Sequence, residues 1–374
     1  MKITIVTGAF LPVPTLRGGA VEKMWLALAK EFVRAGHQVT MISRRFPGLE
    51  EEEEVDRIRH VRVGGYSSPR NIFILKLLDL FHTISVLPRL PDADILISNT
   101  FWLPVLARTF RSGRLLIDVQ RMPKGQLRLY GGNSILRANS RAVHDAILAE
   151  IPEAADRIIT IPNPLPFDPP QEIDLKAKES VILYAGRIHP EKGLDLLMES
   201  VRLLPAGWSL EVVGPHQISA GGGGEEYLAS LKCKAEGLPV IFRGPLHEMS
   251  QLSERYRRAT IFVYPSIAEG GETFGLAVLE AMSWGCVPIV SDLDCFRDFV
   301  AHGTNGMVFD HRGKDAPSRL AELISQLAGS PVLLQELALK ALDVRRTHSP
   351  RHVSGLFLDA FGQMVGLHQG NSSS

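Results

Sequence analysis

Two carboxylates separated by seven residues stand in EGGETFGLAVLEAMSWG, residues 269–285: Glu272 and Glu280. The stretch follows the apolar run IFVYPS and reads as loop, then helix, then a stop at Gly285. Thr273 is the expected N-cap, which leaves Glu272 in the loop. Glu280 then lies nearly two turns into the helix, roughly 10 Å along its axis at ~1.5 Å per residue. That separation is too long for the two acids to share one proton or one metal ion. Between them lies a helix N-terminus with free N–H groups around Phe274, Gly275, Leu276 and Ala277, a place for a phosphate. A ligand with hydroxyls at both ends and a diphosphate in the middle fits this spacing. In a nucleotide-sugar, Glu280 would accept from the ribose and Glu272 from the sugar. The plainer reading makes Glu272 a charge favouring the helix dipole, worth under about 1 kcal/mol, and Glu280 an exposed helix residue.

Two further segments carry matching chemistry. In AGRIHPEKGLDLL, residues 185–197, Arg187 follows a strand and Lys192 is expected to open the next helix. Two cations converging on a diphosphate stabilise the charge that builds as its bond to a sugar breaks. Taken singly, each is also an ordinary surface cation. In LPVPTLRGGAVEK, residues 11–23, Gly18 and Gly19 sit where a loop meets a helix after the first strand, and glycines there let backbone approach a ligand closely. The segment is neither GxGxxG nor a phosphate-binding P-loop.

These residues need strands and helices to hold them. KITIVTG (2–8), VTMIS (39–43), ADILISN (93–99), LLIDV (115–119) and RIITIP (157–162) read as buried strands, with a helix over 18–36 between the first two. Near-continuous apolar strands alternating with helices predict a parallel sheet covered on both faces. The rhythm breaks at the proline-rich 163–180, a linker, and restarts with SVILYAGR (180–187), a helix over 192–204, and the strands SLEVVG, VIFRG, IFVYPS and VPIVSD. The expectation is α/β with two doubly wound domains, residues 1–168 and 169–349, and a site lined by loops at the carboxyl ends of the strands. EEEEE (50–54) reads as a solvated loop or helix end, and GGGG (221–224) as a loop tip. NIFILKLLDLFHTISVL (71–87) is interrupted by Lys76 and Asp79, so it is no membrane span. It reads as a buried helix, or else as a surface leaning on a membrane or a lipid.

Bulk properties narrow the class. The 374 residues are 45% hydrophobic and 22% charged with zero formal net charge, which suits a soluble chain and offers no global field for nucleic acid or an anionic membrane. The three cysteines, Cys233, Cys286 and Cys295, are odd in number and form no CxxC, so neither a disulfide framework nor a zinc site is expected and a cytoplasmic location is. Asp292-Leu-Asp294 imitates a metal-binding pair, but either acid can cap the helix that follows; no metal and no cofactor is expected.

Together, the two glutamates with FGL and LEAM between them, the GR…EKG segment and the IFVYPS strand resemble the retaining GT-B glycosyltransferases of family 4, most closely over 180–312. RANSRA (137–142), VVGP (212–215) and FRG (242–244) also look like family segments. The resemblance implies two Rossmann-like domains facing across a cleft, with the C-terminal helix near 350–366 crossing back to the first. It implies transfer of a hexose-type sugar from a nucleotide-diphosphate donor, UDP-linked, to a hydroxyl of a polysaccharide, lipid or small molecule. It assigns Glu272 to the donor sugar and Glu280 to the ribose. Arg187 and Lys192 go to the diphosphate, as do the backbones of Phe274, Gly275 and Leu276, with Gly18 and Gly19 closing over it. Gly214 and Gly244 join the donor-binding set, and the FRG backbone borders the nucleobase. One departure stands out: where many members carry a sugar-contacting His after the strand LLIDV, this chain has QRMPKGQ (120–126). Gln120 or Arg121, with Lys124 nearby, takes over that contact, or the sugar is handled differently. Arg108, Arg111, Arg114, Arg121, Lys124 and Arg128 make the region basic, as a solvated face or as a site for an anionic acceptor. The opening LPVPTLRGGA also resembles glycosyltransferase-like proteins of the spore coat, which leaves a scaffold role as the alternative, beside a same-fold sugar-nucleotide epimerase.

Overall fold

The computed structural model of the chain describes residues 1–16, 19–69, 71–107, 113–246 and 248–371. Gly18, Arg108, Arg111 and His247 lie outside the described residues. The chain divides into two compact units, Met1–Asp168 with His348–Ser374, and Pro169–Thr347.

Unit 1 is built on an eight-stranded sheet of order β3-β4-β2-β1-β5-β6-β7-β8. Its strands are β1 (Lys2–Val6), β2 (Gln38–Arg44), β3 (Glu52–Val55), β4 (Ile58–Val63), β5 (Ile95–Ser98), β6 (Arg114–Val119), β7 (Ile135–Ala138) and β8 (Ile158–Thr160). The central strands are apolar almost throughout because helices cover both faces of a parallel sheet. The glutamate run departs from expectation: Glu52–Val55 is an edge strand antiparallel to β4. Asp56 and Arg57 both adopt positive φ, 53° and 60°, and close a two-residue hairpin whose twist suits the strands. Arginines on the neighbouring strand neutralise the acids: Glu52 pairs with Arg59 at 3.1 Å and Glu53 with the fully buried Arg62 at 2.6 Å. A charged edge of this kind also discourages further strand pairing.

Helix α1 (Ala20–Arg34) covers one face and meets the C-terminal helix Pro350–Asn371, which belongs to the same unit. Trp25 and Phe32 of α1 interleave with Phe357 and Phe361, with ring centroids 5.2–6.4 Å apart. Helix α2 (Ile72–Val86) is a helix as expected, capped by the Asn71 side chain, but not a buried one. Asp79, His82 and Thr83 face inward, while Phe73, Leu77, Phe81 and Ile84 face solvent. Among the described residues no helix is long and apolar enough to cross a membrane.

Unit 2 carries a six-stranded parallel sheet of order β11-β10-β9-β12-β13-β14. Its strands are β9 (Glu179–Ala185), β10 (Ser209–Val213), β11 (Val240–Gly244), β12 (Ala259–Tyr264), β13 (Val287–Ser291) and β14 (Met307–Phe309). Numbered within the unit the order is 3-2-1-4-5-6, so the winding reverses between β9 and β12. In open sheets of this winding, ligands bind at the carboxyl ends of the two strands that flank the reversal.

Phe357 anchors the C-terminal helix to α1. Phe357→Ala is expected to cost unit 1 about 3–5 kcal/mol, read as a lowered urea midpoint.

Candidate active site

The carboxyl ends of β9 and β12 bring together two of the sequence-predicted residues of unit 2, Lys192 and Glu272. After β9 the chain makes a short turn, Pro190–Lys192, whose start is capped by the His189 side chain. Lys192 therefore ends a turn and does not open the next helix, which runs from Leu194 to Val201. Gly193 separates the two with a φ of 69°. A Cβ there would lie 1.9 Å from the Pro265 carbonyl oxygen, so only glycine lets the β9 loop lie against the β12 loop. Ile267 N–H and the Ser266 hydroxyl both donate to the Glu191 carbonyl, at 2.9 and 3.3 Å, and lock the two loops together.

That lock brings Lys192 and Glu272 into contact although 80 positions separate them. Lys192 Nζ donates to Glu272 Oε2 at 2.7 Å, and the side chains are only 6% and 10% exposed. The ammonium also lies 5.5 Å from the centroid of the Tyr264 ring. Burial, followed by the charge of Glu272, pushes the Tyr264 phenol well above its usual range, so it stays neutral beside the pair. Arg187 is more exposed: it pairs with Glu191 at 2.7 Å and donates to the Gly221 carbonyl.

The helix after Glu272 spans Leu276–Ser283, and its N-cap is Gly275, not Thr273. Gly275 has a φ of 85°, and the Phe296 ring fills the place of its missing side chain, at 2.3 Å from an ideal Cβ. The first-turn N–H groups, those of Leu276 and Ala277, have no carbonyl within the helix to bond. Phe274 turns its ring inward against Phe299, so what it offers a ligand is backbone. Glu280 is buried in the middle of the helix and accepts a 2.9 Å hydrogen bond from the Tyr256 hydroxyl. The carboxyl ends of the neighbouring strands are tied by backbone: Gly186 N–H to the Val213 carbonyl and Gly214 N–H to the Gly244 carbonyl, each at 2.9 Å. Asp292 and Asp294 both pair with Arg297, at 2.7 and 3.2 Å.

Unit 1 has a polar centre of its own. Asp118 and Arg137, both with fully buried side chains, meet at 2.8 Å. Arg137 also donates to Asn163 Oδ1 and to the Ile161 carbonyl, and the Trp25 indole N–H donates to Asp118. The Gln120 amide is committed here, donating to Asp118 and accepting from Asn139 and Asn163. Arg121, the other residue expected to replace the histidine, stays exposed, as does Lys124 nearby. The signal missed in the sequence is Glu22, in the first turn of α1 beside Gly19. It is buried, and desolvation pushes its carboxyl up to about 7 against the pull of its own backbone N–H and of Arg121. An acid three residues beyond a glycine pair was the available clue.

Two doubly wound sheets, parallel but for the edge strand β3, fit the GT-B class of glycosyltransferases. Residues 168–340 match the family described as glycosyl transferases group 1, and residues 19–164 match the glycosyl transferase 4-like domain. The chain belongs to glycosyltransferase family 4. It is 24% identical over 313 residues to the alpha-galactosylglucosyldiacylglycerol synthase of Streptococcus pneumoniae, covering 74% of this chain and 79% of that one. Matches to further curated relatives span little more than half of those proteins. Its fold is similar to that of sucrose-phosphate synthase from Thermosynechococcus elongatus, with a TM-score of 0.77 at 17% identity over 98% of this chain and 99% of that one. It is likewise similar to Anabaena HepE in complex with UDP and glucose, with a TM-score of 0.71 at 16% identity over 97% of this chain and 100% of that one.

Glu22 and His60 titrate in opposite senses. Glu22, with an ordinary value of 4.5, gains its proton first in the folded state, so acidification from about 7 to 4.5 stabilises. His60 is held down to about 4 by burial and then by Arg62, so acidification from 6.5 towards 4 destabilises. Glu22→Gln is expected to steepen the loss of melting temperature between pH 6.5 and 4.5. Equal slopes of melting temperature against pH in the two proteins would contradict this.

Proposed function

We propose that this glycosyltransferase moves a hexose, with retention of configuration, from a UDP-sugar held by unit 2 to an acceptor hydroxyl. The observation that carries the reading is the buried Lys192–Glu272 pair at the reversal point between β9 and β12, beside the N-terminus of the Leu276–Ser283 helix.

In this reading the diphosphate rests on the first-turn N–H groups, where the helix dipole favours anions. Lys192 and Arg187 exchange their carboxylate partners for phosphate oxygens and stabilise the charge of the leaving group. Glu272, released from Lys192, takes hydroxyls of the donor sugar. Glu280, its rotamer fixed by Tyr256, takes the ribose hydroxyls. The bond from the anomeric carbon to the phosphate oxygen breaks while the acceptor oxygen bonds to the same face. The acceptor proton passes to the departing phosphate oxygen, so the protein supplies no separate base, and the step needs no metal. UDP is the nucleotide named with Anabaena HepE, which supports a UDP donor, and the pneumococcal relative is named for a glycolipid, which supports an acceptor class that includes lipids. The unpaired thiols of Cys233, Cys286 and Cys295 suit a cytoplasmic enzyme.

Glu272→Gln, which keeps the size of the side chain, is expected to abolish transfer while UDP still raises the melting temperature; Lys192→Ala is expected to lower turnover. A ligand at 100 times its dissociation constant adds about 2.7 kcal/mol, so a wild-type protein that no uridine or guanosine diphosphate stabilises would be a scaffold and not an enzyme. Glu280→Ala removes one or two hydrogen bonds to a charged group, each about 1.5–3 kcal/mol. Calorimetry is therefore expected to show UDP bound at least about tenfold more weakly.

A further inference from the structure

The loop that delivers Glu272 is held at two points, one on each side of a glycine pair. Residues 268–272 form a tight turn, in which the Gly271 and Glu272 N–H groups both donate to the Ala268 carbonyl at 3.0 Å. Gly270 and Gly271 form its tip, and glycine leaves backbone freer to move than any other residue. Beyond the tip, Glu272 is tied to Lys192 at 2.7 Å. Before it, Glu269 is tied to two residues that follow β14. A carboxylate only accepts, so His311 Nε2, 3.0 Å from Glu269 Oε1, carries the proton of that bond. Arg312 reaches the same carboxylate through Nε at 2.8 Å and Nη2 at 3.2 Å. Arg312 Nη2 also donates to the Asp292 carbonyl at 2.9 Å, so the loops after β12, β13 and β14 are joined. The His311 side chain is 3% exposed, and its Nδ1 is buried with no hydrogen-bond partner among the described residues. Leaving that atom unpaired is unfavourable, and an apolar side chain would fill the place without it. What the imidazole gives in return is a donor fixed on Glu269.

We propose that Glu269 and His311 are positioning residues for Glu272: their contact keeps the 268–272 turn, and the carboxylate at its end, in place when Lys192 turns from Glu272 to the diphosphate. The inference rests on the sugar-transfer reading for that exchange of partners. Once the exchange occurs, the tie beyond the glycines is gone and the tie before them stays. A glycine-tipped turn held on neither side would let the carboxylate swing, and a misplacement of about 1 Å at a reacting centre lowers the rate on the order of a hundredfold. The two partners of Glu269 are not equal in this. The Arg312 ion pair is half exposed, and such pairs hold little by themselves. His311 is enclosed, so its bond to Glu269 is shielded from water and fixes a direction. Both residues act on the reaction through the backbone of the turn.

Two measurements on the full chain test this. The first needs no substrate: amide hydrogen exchange of the 268–272 segment, read by mass spectrometry. Lys192→Ala alone, which imitates the departed lysine, is expected to change that exchange less than about threefold, and Glu269→Ala added to it to speed exchange at least about tenfold further. The second is transfer kinetics. Glu269→Ala is expected to lower kcat at least about tenfold while the Kd for UDP and the melting temperature hold, since the Glu269 side chain is exposed. Glu269→Gln, which keeps an oxygen for His311, is expected to regain most of the loss. Arg312→Ala, which leaves His311 on Glu269, is expected to keep kcat within about threefold. The proposal is overturned if the double variant exchanges no faster than Lys192→Ala, if Glu269→Ala turns over at the wild-type rate, or if Arg312→Ala loses as much as Glu269→Ala. A fall in UDP binding and melting temperature in step with kcat would mark a merely structural contact and overturns it as well. A wild type that transfers no sugar contradicts the sugar-transfer reading instead, and the exchange rates then decide the role of the Glu269–His311 contact alone.

Discussion

A lysine and a glutamate from two different loops meet in a site that is almost closed to water, and the organisation of unit 2 follows from holding them there. Taking two ions out of water costs several kcal/mol each, and the contact between them returns that only when geometry and further bonds are good. Replacing such a pair with well-packed apolar residues is often neutral or stabilising, so stability is a poor reason for Lys192 and Glu272 to be where they are. Several features serve the meeting: the strand order that sets β9 beside β12, a glycine at 193 that permits contact between the loops that follow them, and two hydrogen bonds onto the Glu191 carbonyl. A cation that already has a carboxylate partner is also pre-positioned, and exchanging that partner for a phosphate changes little in the surrounding geometry.

Unit 1 follows a different plan. Its buried ion pair, Asp118 with Arg137, is saturated by Trp25, Gln120, Asn163 and the Ile161 carbonyl, and Arg137 also faces the Phe357 ring at 5.3 Å. The network ties β6 and β7 to α1 and to the C-terminal helix. It explains why Gln120, the first residue after β6, has little left to offer a sugar. The exposed Arg121 and the buried Glu22 lie outside that network. They influence one another electrostatically, which makes the start of α1 a charged junction of its own.

Much of this was legible before any coordinates. The apolar runs at 2–8, 39–43, 93–99, 115–119 and 157–162 contain strands, because a doubly covered parallel sheet leaves no polar face to confuse the pattern. The pairing of Glu272 with Lys192 was not legible, since it depends on strand order and on a close approach at Gly193, neither of which is local. The start of the Leu276–Ser283 helix was misplaced because Thr273 has the chemistry of a cap, while the actual cap is set by the Phe296 ring against Gly275. The strand in the glutamate run was hidden because its neutralising arginines lie across a hairpin. For α2 the apolar run left a buried helix and an exposed surface both open: which side faces the core is decided by Asp79 and His82 finding N–H and carbonyl partners elsewhere in the unit. Glu22 escaped notice because burial of a helix acid is a tertiary property.

The most direct test of the central claim is a crystal structure of the wild-type protein with UDP bound. The account predicts the diphosphate on the N–H groups of Leu276 and Ala277, with Lys192 Nζ moved off Glu272 and within about 3 Å of a phosphate oxygen. A nucleotide bound elsewhere, with the Lys192–Glu272 contact intact, would contradict it.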